Sequence, residues 1–231
     1  MQAELDKSTM RYNTFIFDLD GTLLDTLQDL AASVNHALRQ YGMPEHTLDD
    51  IRQFVGNGVR RLMERAVPEG AENAQFDAVF AAFRAHYMLH ALDTTRPYDG
   101  ITEVLRVLQQ RGCRMAVVSN KMMAATQELV AHFFPEITVA IGEHEAEGIR
   151  KKPAPDTVFE ALRQLNAPLT PDFSLTPTKA VYVGDSDVDV ATAANSGLPC
   201  VSVLWGFRDR DFLKAHGATT FVAAPRELLS L

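Results

Sequence analysis

Thr14-Phe15-Ile16-Phe17 is a β-prone run that stops abruptly at Asp18-Leu19-Asp20-Gly21-Thr22, and the same design recurs along the chain. Further runs lie at Met115-Ala116-Val117-Val118, Ile137-Thr138-Val139-Ala140-Ile141, Ala180-Val181-Tyr182-Val183 and Cys200-Val201-Ser202-Val203-Leu204. Thr220-Phe221-Val222 reads as a short edge strand. Continuous apolar runs bounded by Gly and Asp fit strands buried on both faces, as in a parallel sheet covered by helices. Between them, helical spacing runs over Ile101 to Gln110, Met123 to His132, Thr157 to Leu165 and Val188 to Ser196. Gly112 and Gly197 stand where helix C-caps belong. Strand alternating with helix predicts an α/β fold built on a doubly wound, Rossmann-like parallel sheet.

One stretch breaks the alternation. From about Thr26 to Asp93 the periodicity is helical only. Leu27, Leu30, Ala31, Val34, Ala37, Leu38 and Tyr41 recur at three- and four-residue steps, and Gly42 and Pro44 end that helix. Thr47 is placed to cap a second helix, Val59 to Ala66 form a third, and Phe76, Val79, Phe80, Phe83 and Tyr87 stripe a fourth. The expected domains are an α/β core, residues 1–25 and 95–231, and an inserted four-helix cap, residues 26–94. The two crossings, near Leu24–Thr26 and Asp93–Arg96, are the natural hinges.

Charge and cysteine content narrow the function classes. The formal net charge of −8 and pI near 5.3 lack the basic field that non-specific nucleic-acid binding relies on. Cys113 and Cys200 are too few for a disulfide framework or a four-thiolate zinc site, and read as small buried residues in a reducing compartment. The N-terminus MQAELDKSTMRYN has no apolar leader-like run, and no stretch approaches a membrane span. The expectation is a soluble cytoplasmic protein; nothing in the residues sets its oligomeric state.

In open α/β sheets, ligands bind outside the carboxyl ends of the strands. Those ends collect Asp18, Asp20 and Thr22 from the first strand, and Ser119, Asn120 and Lys121 from the second. The fourth contributes Asp185, Ser186, Asp187 and Asp189, and the loop Lys151-Lys152-Pro153-Ala154-Pro155-Asp156 precedes a helix. Each piece alone is ordinary, since Asp commonly caps a turn and Lys is commonly solvated. Together, several carboxylates converging on one crevice call for a cation, and oxygen-only donors favour Mg²⁺ over zinc or copper.

These residues carry a resemblance. Phe17-Asp18-Leu19-Asp20-Gly21-Thr22-Leu23-Leu24-Asp25 resembles the first motif of the haloacid dehalogenase-like superfamily, and Val118-Ser119-Asn120 its second. Lys152-Pro153 resembles the third and Gly184-Asp185-Ser186-Asp187-Val188-Asp189 the fourth. The insertion lies where that superfamily carries a helical cap. Within it, the chain looks most like the phosphoglycolate phosphatase group, through Val55-Gly56-Asn57-Gly58, Leu62-Met63-Glu64-Arg65 and Lys152-Pro153-Ala154-Pro155-Asp156. The resemblance implies that Asp18 attacks a phosphate monoester to form an aspartyl-phosphate, while Asp20 serves the leaving group and then water. It assigns Mg²⁺ to Asp18, Asp185 and the Asp20 carbonyl, and phosphate binding to Thr22, Ser119, Asn120 and Lys152. Asp189 is expected behind the metal waters or Lys152, with Asp187 an alternative outer ligand. An acid at position 20 suits a phosphate ester and not a halide, which leaves without a proton.

Gly56, Asn57, Gly58 and Arg60 open a cap helix and are the candidates for reading a substrate carboxylate, with a plain turn and solvated arginines as the competing account. Gly56-x-Gly58 lacks the setting of a dinucleotide loop. His86 and His90 have zinc-compatible spacing but no Glu-x-x-His signature, and the aromatic stripe reads as cap core. Trp205-Gly206-Phe207 either walls the site or simply packs. The expected function is a Mg²⁺-dependent phosphatase of a small phosphorylated metabolite, 2-phosphoglycolate first. The alternatives are a sugar-phosphate phosphatase or phosphomutase of the same superfamily and, from another class, a non-catalytic phosphoacceptor module.

Overall fold

A computed structural model of the chain describes residues 10–143, 148–165 and 179–231. The first nine residues, read above for a leader, lie outside it. The chain falls into two compact units, one running to Leu23 and resuming over Pro97–Leu231, the other Leu24–Arg96. Strand β1, Thr14–Phe17, is fully buried, as its unbroken apolar run requires.

The Leu24–Arg96 unit is helical. Strands β2, Leu24–Asp25, and β3, Arg96–Pro97, pair as a two-stranded sheet; two residues each are too few to leave a periodic signal. Helix α1, Leu27–Gln40, buries Leu27, Leu30, Ala31, Val34, Ala37 and Leu38 along one face. Helix α2, Leu48–Phe54, starts at a capping box in which Thr47 Oγ1 accepts from Asp50 N and Asp50 accepts from Thr47 N. Helix α3 spans Val59–Ala66 and helix α4 Phe76–His90. Phe76, Phe83 and Tyr87 are buried as cap core. Phe80 is half-buried, with Arg60 and Arg84 over its ring. His86 takes up Ser33 Oγ at 3.0 Å and His90 pairs with Asp93 at 2.7 Å. Asp29 accepts from Thr94 N, Thr94 Oγ1 and Thr95 N, tying the first turn of α1 to the segment before β3.

The remaining unit alternates as expected. Helix α5 is Ile101–Gln110, β4 Arg114–Met122, α6 Met123–Phe133 and β5 Val139–Glu143. Helix α7 is Asp156–Gln164, β6 Ala180–Gly184, α8 Asp187–Asn195 and β7 Cys200–Val203. A short helix α9, Arg210–Ala215, capped by Asp209, precedes edge strand β8, Phe221–Val222. The strands lie in the order β5-β4-β1-β6-β7-β8, every neighbour parallel. Counted along the chain, the core strands run third, second, first, fourth, fifth, sixth. The order reverses beside β1, so crossovers leave in opposite directions there and open a crevice at the carboxyl ends. One face of the sheet packs Ile16, Val118, Ile141 and Tyr182 against Val158, Leu162 and Ala193 of α7 and α8. Cys113 and Cys200 are free thiols and half-buried, less enclosed than the sequence suggested. Among the described residues no helix is long and apolar enough to cross a membrane.

Candidate active site

Asp18 follows the last residue of β1, and Asp20 lies two residues on, just before the turn that Gly21 enters at φ +87°. A side chain on Gly21 would fall on the Asp185 carboxylate, so this position is closed to any other residue by both backbone and space. Asp185 leaves β6 at the next strand end, and Ser186 then caps α8 through a box with Asp189. A local helix-start signal therefore also sets the acidic cluster: the residue that completes the box is itself a site carboxylate. Asp18, Asp185 and Asp189 each offer an oxygen within 4.8 Å of the others, and all three are buried.

Lys152 compensates part of that charge. Its Nζ lies 2.7 Å from Asp18 Oδ1 and 2.9 Å from Asp189 Oδ1, and donates to Tyr182 Oη at 3.2 Å. Tyr182 Oη donates to Asp189 Oδ1 at 2.9 Å, and Asp189 Oδ2 accepts from Ser186 Oγ and from the amides of Asp185 and Ser186. Asn120 positions the lysine loop, accepting from Lys152 N at 2.8 Å and donating to Lys152 O at 3.1 Å. Its side chain thereby pins the lysine loop from both sides of the peptide. Thr22 is tied to Asp185: its hydroxyl donates to Asp185 Oδ1 at 3.1 Å in a fully buried setting.

Electrostatics follow from this wiring. Burial raises Asp18 well above the usual carboxylate range, and Asp189 and Asp185 add to the rise against the pull of Lys152. Burial, with Asp189, pushes Asp185 up to about 7. Burial also opposes ionisation of Asp189, but Lys152 and the hydrogen bonds of Ser186, Lys152 and Tyr182 outweigh it and hold Asp189 low. For Lys152, burial is likewise overcome by Asp18 and Asp189, so the ammonium is kept charged. With all three buried carboxylates ionised, one lysine leaves negative charge in excess. That surplus, on oxygen donors alone, fits a hard divalent cation.

Serine, lysine and loop residues complete the rim. Ser119, buried at the bend of β4, accepts from Lys121 N through Oγ. Lys121, which sequence reasoning left without a role, sets its ammonium on both oxygens of Asp20, at 3.0 and 3.1 Å. Trp205, Gly206 and Phe207 are tied into the site. Trp205 Nε1 donates to Thr22 O at 3.0 Å, Phe207 N donates to Asp185 Oδ2 at 2.7 Å, and a Cβ on Gly206 would fall on Asp185 and the Gly21 carbonyl. Asp187 sits half-buried in the first turn of α8, outside the trio. Gly56, Asn57, Gly58 and Arg60 belong to the helical unit. There Asn57 Oδ1 accepts from Arg65, and the Arg60 guanidinium lies over Phe76 and 3.4 Å from Glu64, occupied within its own unit.

The model of a family described as haloacid dehalogenase-like hydrolase matches residues 15–203. A phosphoglycolate phosphatase of Rhodobacter capsulatus is 34% identical over 198 residues, covering 84% of each chain. One from Aquifex aeolicus is 30% identical over 197 residues, covering 83% of this chain and 84% of its own. A crystal structure from Lactobacillus delbrueckii subsp. bulgaricus superposes with a TM-score of 0.86 at 37% identity, covering 95% of this chain and 97% of the other.

Proposed function

Because this chain belongs to the haloacid dehalogenase-like hydrolases, and the relatives it matches are phosphatases, we propose that its substrate is 2-phosphoglycolate, hydrolysed to glycolate and phosphate through an aspartyl-phosphate on Asp18. The protein is a phosphoric monoester hydrolase. The observation that carries the reading is the Asp18–Lys152–Asp189 chain at 2.7 and 2.9 Å, beside Asp185 and two residues from Asp20. That set supports Asp18 as nucleophile, Lys152 as charge clamp and Asp20 as proton carrier, gathered beyond the carboxyl ends of β1 and β6.

In the first step an Asp18 oxygen bonds phosphorus and the ester P–O bond breaks. The departing alkoxide takes its proton from Asp20. In the second, water attacks the acyl phosphate, Asp20 accepts its proton and Asp18 is released. Lys152 faces the phosphoryl oxygens with its charge held by Asp189 and Tyr182, and Ser119 donates beside it. Asp18, Asp185 and the Asp20 carbonyl are the residues to hold a cation, which we propose is Mg²⁺; when bound, it offsets the repulsion between carboxylates and phosphate. Thr22 and Asn120 act through Asp185 and Lys152 respectively, since their side chains already serve those residues.

A panel of metabolite phosphates tests the assignment. Phosphate release should be fastest from 2-phosphoglycolate, and a sugar phosphate should yield inorganic phosphate without an isomeric phosphate. Isomer formation would move the protein to the phosphomutases, and a phosphoprotein that never turns over would make it a phosphoacceptor.

A further inference from the structure

We propose that Lys121 is a positioning residue for Asp20, aiming the carboxyl group that serves the leaving oxygen and then water. The proposal rests on the acid–base reading of Asp20 above. Lys121 has a side chain only 3% exposed, and its ammonium contacts both Asp20 oxygens, at 3.0 and 3.1 Å. Near-equal contacts to both oxygens hold the carboxyl group from its outer end and restrain where it can swing.

The local backbone is arranged to put Lys121 there. The β4–β5 register shifts between Val118 and Met122, and such irregularities next to a site re-aim side chains. Lys121 N donates to Ser119 Oγ at 3.2 Å, and Lys121 O accepts from Thr126 Oγ1 at 3.3 Å. On the other side, a Cβ on Gly142 of β5 would stand 2.7 Å from Lys121 O and 2.6 Å from Met123 Cα. The strand therefore presses its backbone directly against this turn, and only glycine leaves room.

A purely structural ion pair explains less. β1 and β4 are already joined by a backbone ladder from Thr14–Arg114 to Phe17–Val117, so their ends need no ionic staple. Enclosing an ammonium costs desolvation that a stability role does not require. Where Asp20 must meet first an alkoxide and then a water, a fixed aim is what the pair supplies.

The test compares kcat/KM for an alkyl monoester, 2-phosphoglycolate, with p-nitrophenyl phosphate, whose leaving group needs no proton. Lys121→Met should lose roughly 30-fold or more on the alkyl ester and under about 3-fold on the aryl ester, since general acid catalysis is typically worth 10²–10⁴. Lys121→Arg should recover most of the selective loss. In an Asp20→Asn background, Lys121→Met should cost nothing further, because the pair acts as one unit. Should Lys121→Met not fold, Lys121→Gln carries the same comparison. Parallel losses on both esters, or additive losses in the double variant, would overturn Lys121's role while leaving a selective Asp20→Asn defect intact. An Asp20→Asn variant that loses both esters alike would overturn the acid–base reading, and Lys121's role with it.

Discussion

At the scale of single residues, the site is a problem of charge. Asp18→Asn keeps size and removes the nucleophile, so turnover should fall roughly 10³-fold or more. Rapid-quench trapping checks this: the wild type should accumulate an acid-stable, base-labile phosphoenzyme and the variant none. Asp185 offers a second handle. Burial and the neighbouring Asp189 push its carboxyl up to about 7 from an ordinary 3.8. Asp185→Asn should therefore match or exceed the wild type in metal-free thermal stability at pH 8, while cation-dependent turnover is lost. Part of this is legible in the sequence, because Asp18 and Asp185 sit at strand ends that apolar runs announce. Lys121 is not, since its side chain is aimed by a register shift and by Gly142 on a neighbouring strand, and neither leaves a mark near position 121. Thr22 and Asn120 reach the same crevice, and spacing does not show the side-chain bonds by which they also hold Asp185 and the Lys152 loop.

At the scale of elements, the loop after β7 is the informative case. Gly206 lies against Asp185 and the Gly21 carbonyl, and Phe207 N bonds the same carboxylate. Gly206→Ala should displace Asp185 and raise the cation concentration needed for half-maximal activity roughly tenfold, at a cost of about 1–3 kcal/mol in stability for the overpacking. Activity titrated against Mg²⁺ measures this, and an unchanged midpoint would show that the loop merely packs. The exposed capping box at Thr47 is the control. Thr47→Ala should cost about 1 kcal/mol and leave kcat unchanged. Helices with two turns or more were readable from periodicity, Ile101–Gln110 and Val59–Ala66 to the residue. The pairs Leu24–Asp25 and Arg96–Pro97 were not, because a two-residue strand exists only through its partner.

At the scale of the whole molecule, proton and cation compete for one cluster. Asp18 and Asp185 are raised relative to the unfolded chain, so the stability they allow is complete below about pH 4. It is lost as pH rises, through about 7 for Asp185, and as Asp18, likewise raised, gives up its proton. A cation that binds the ionised cluster reverses that loss. The melting temperature gained on adding Mg²⁺ should therefore be larger at pH 8 than at pH 5. Calorimetry below pH 7 should show protons released on binding; equal gains at both pH values would place the cation elsewhere.

The central strand of the sheet is also the first to be made. β1 lies between β4 and β6, pairing Thr14 with Arg114 on one side and Ala180 on the other. On a ribosome adding about 5–20 residues each second, β1 waits roughly 5–20 s for its first partner and 8–33 s for its second. The helical segment Leu24–Arg96, by contrast, holds its own partners within a single continuous stretch. Nascent chains halted shortly after Arg96 has emerged should thus already resist protease across the helices while Thr14–Phe17 remains cleavable. The buried tetrapeptide at the centre of the finished sheet is, during synthesis, a strand waiting for both of its neighbours.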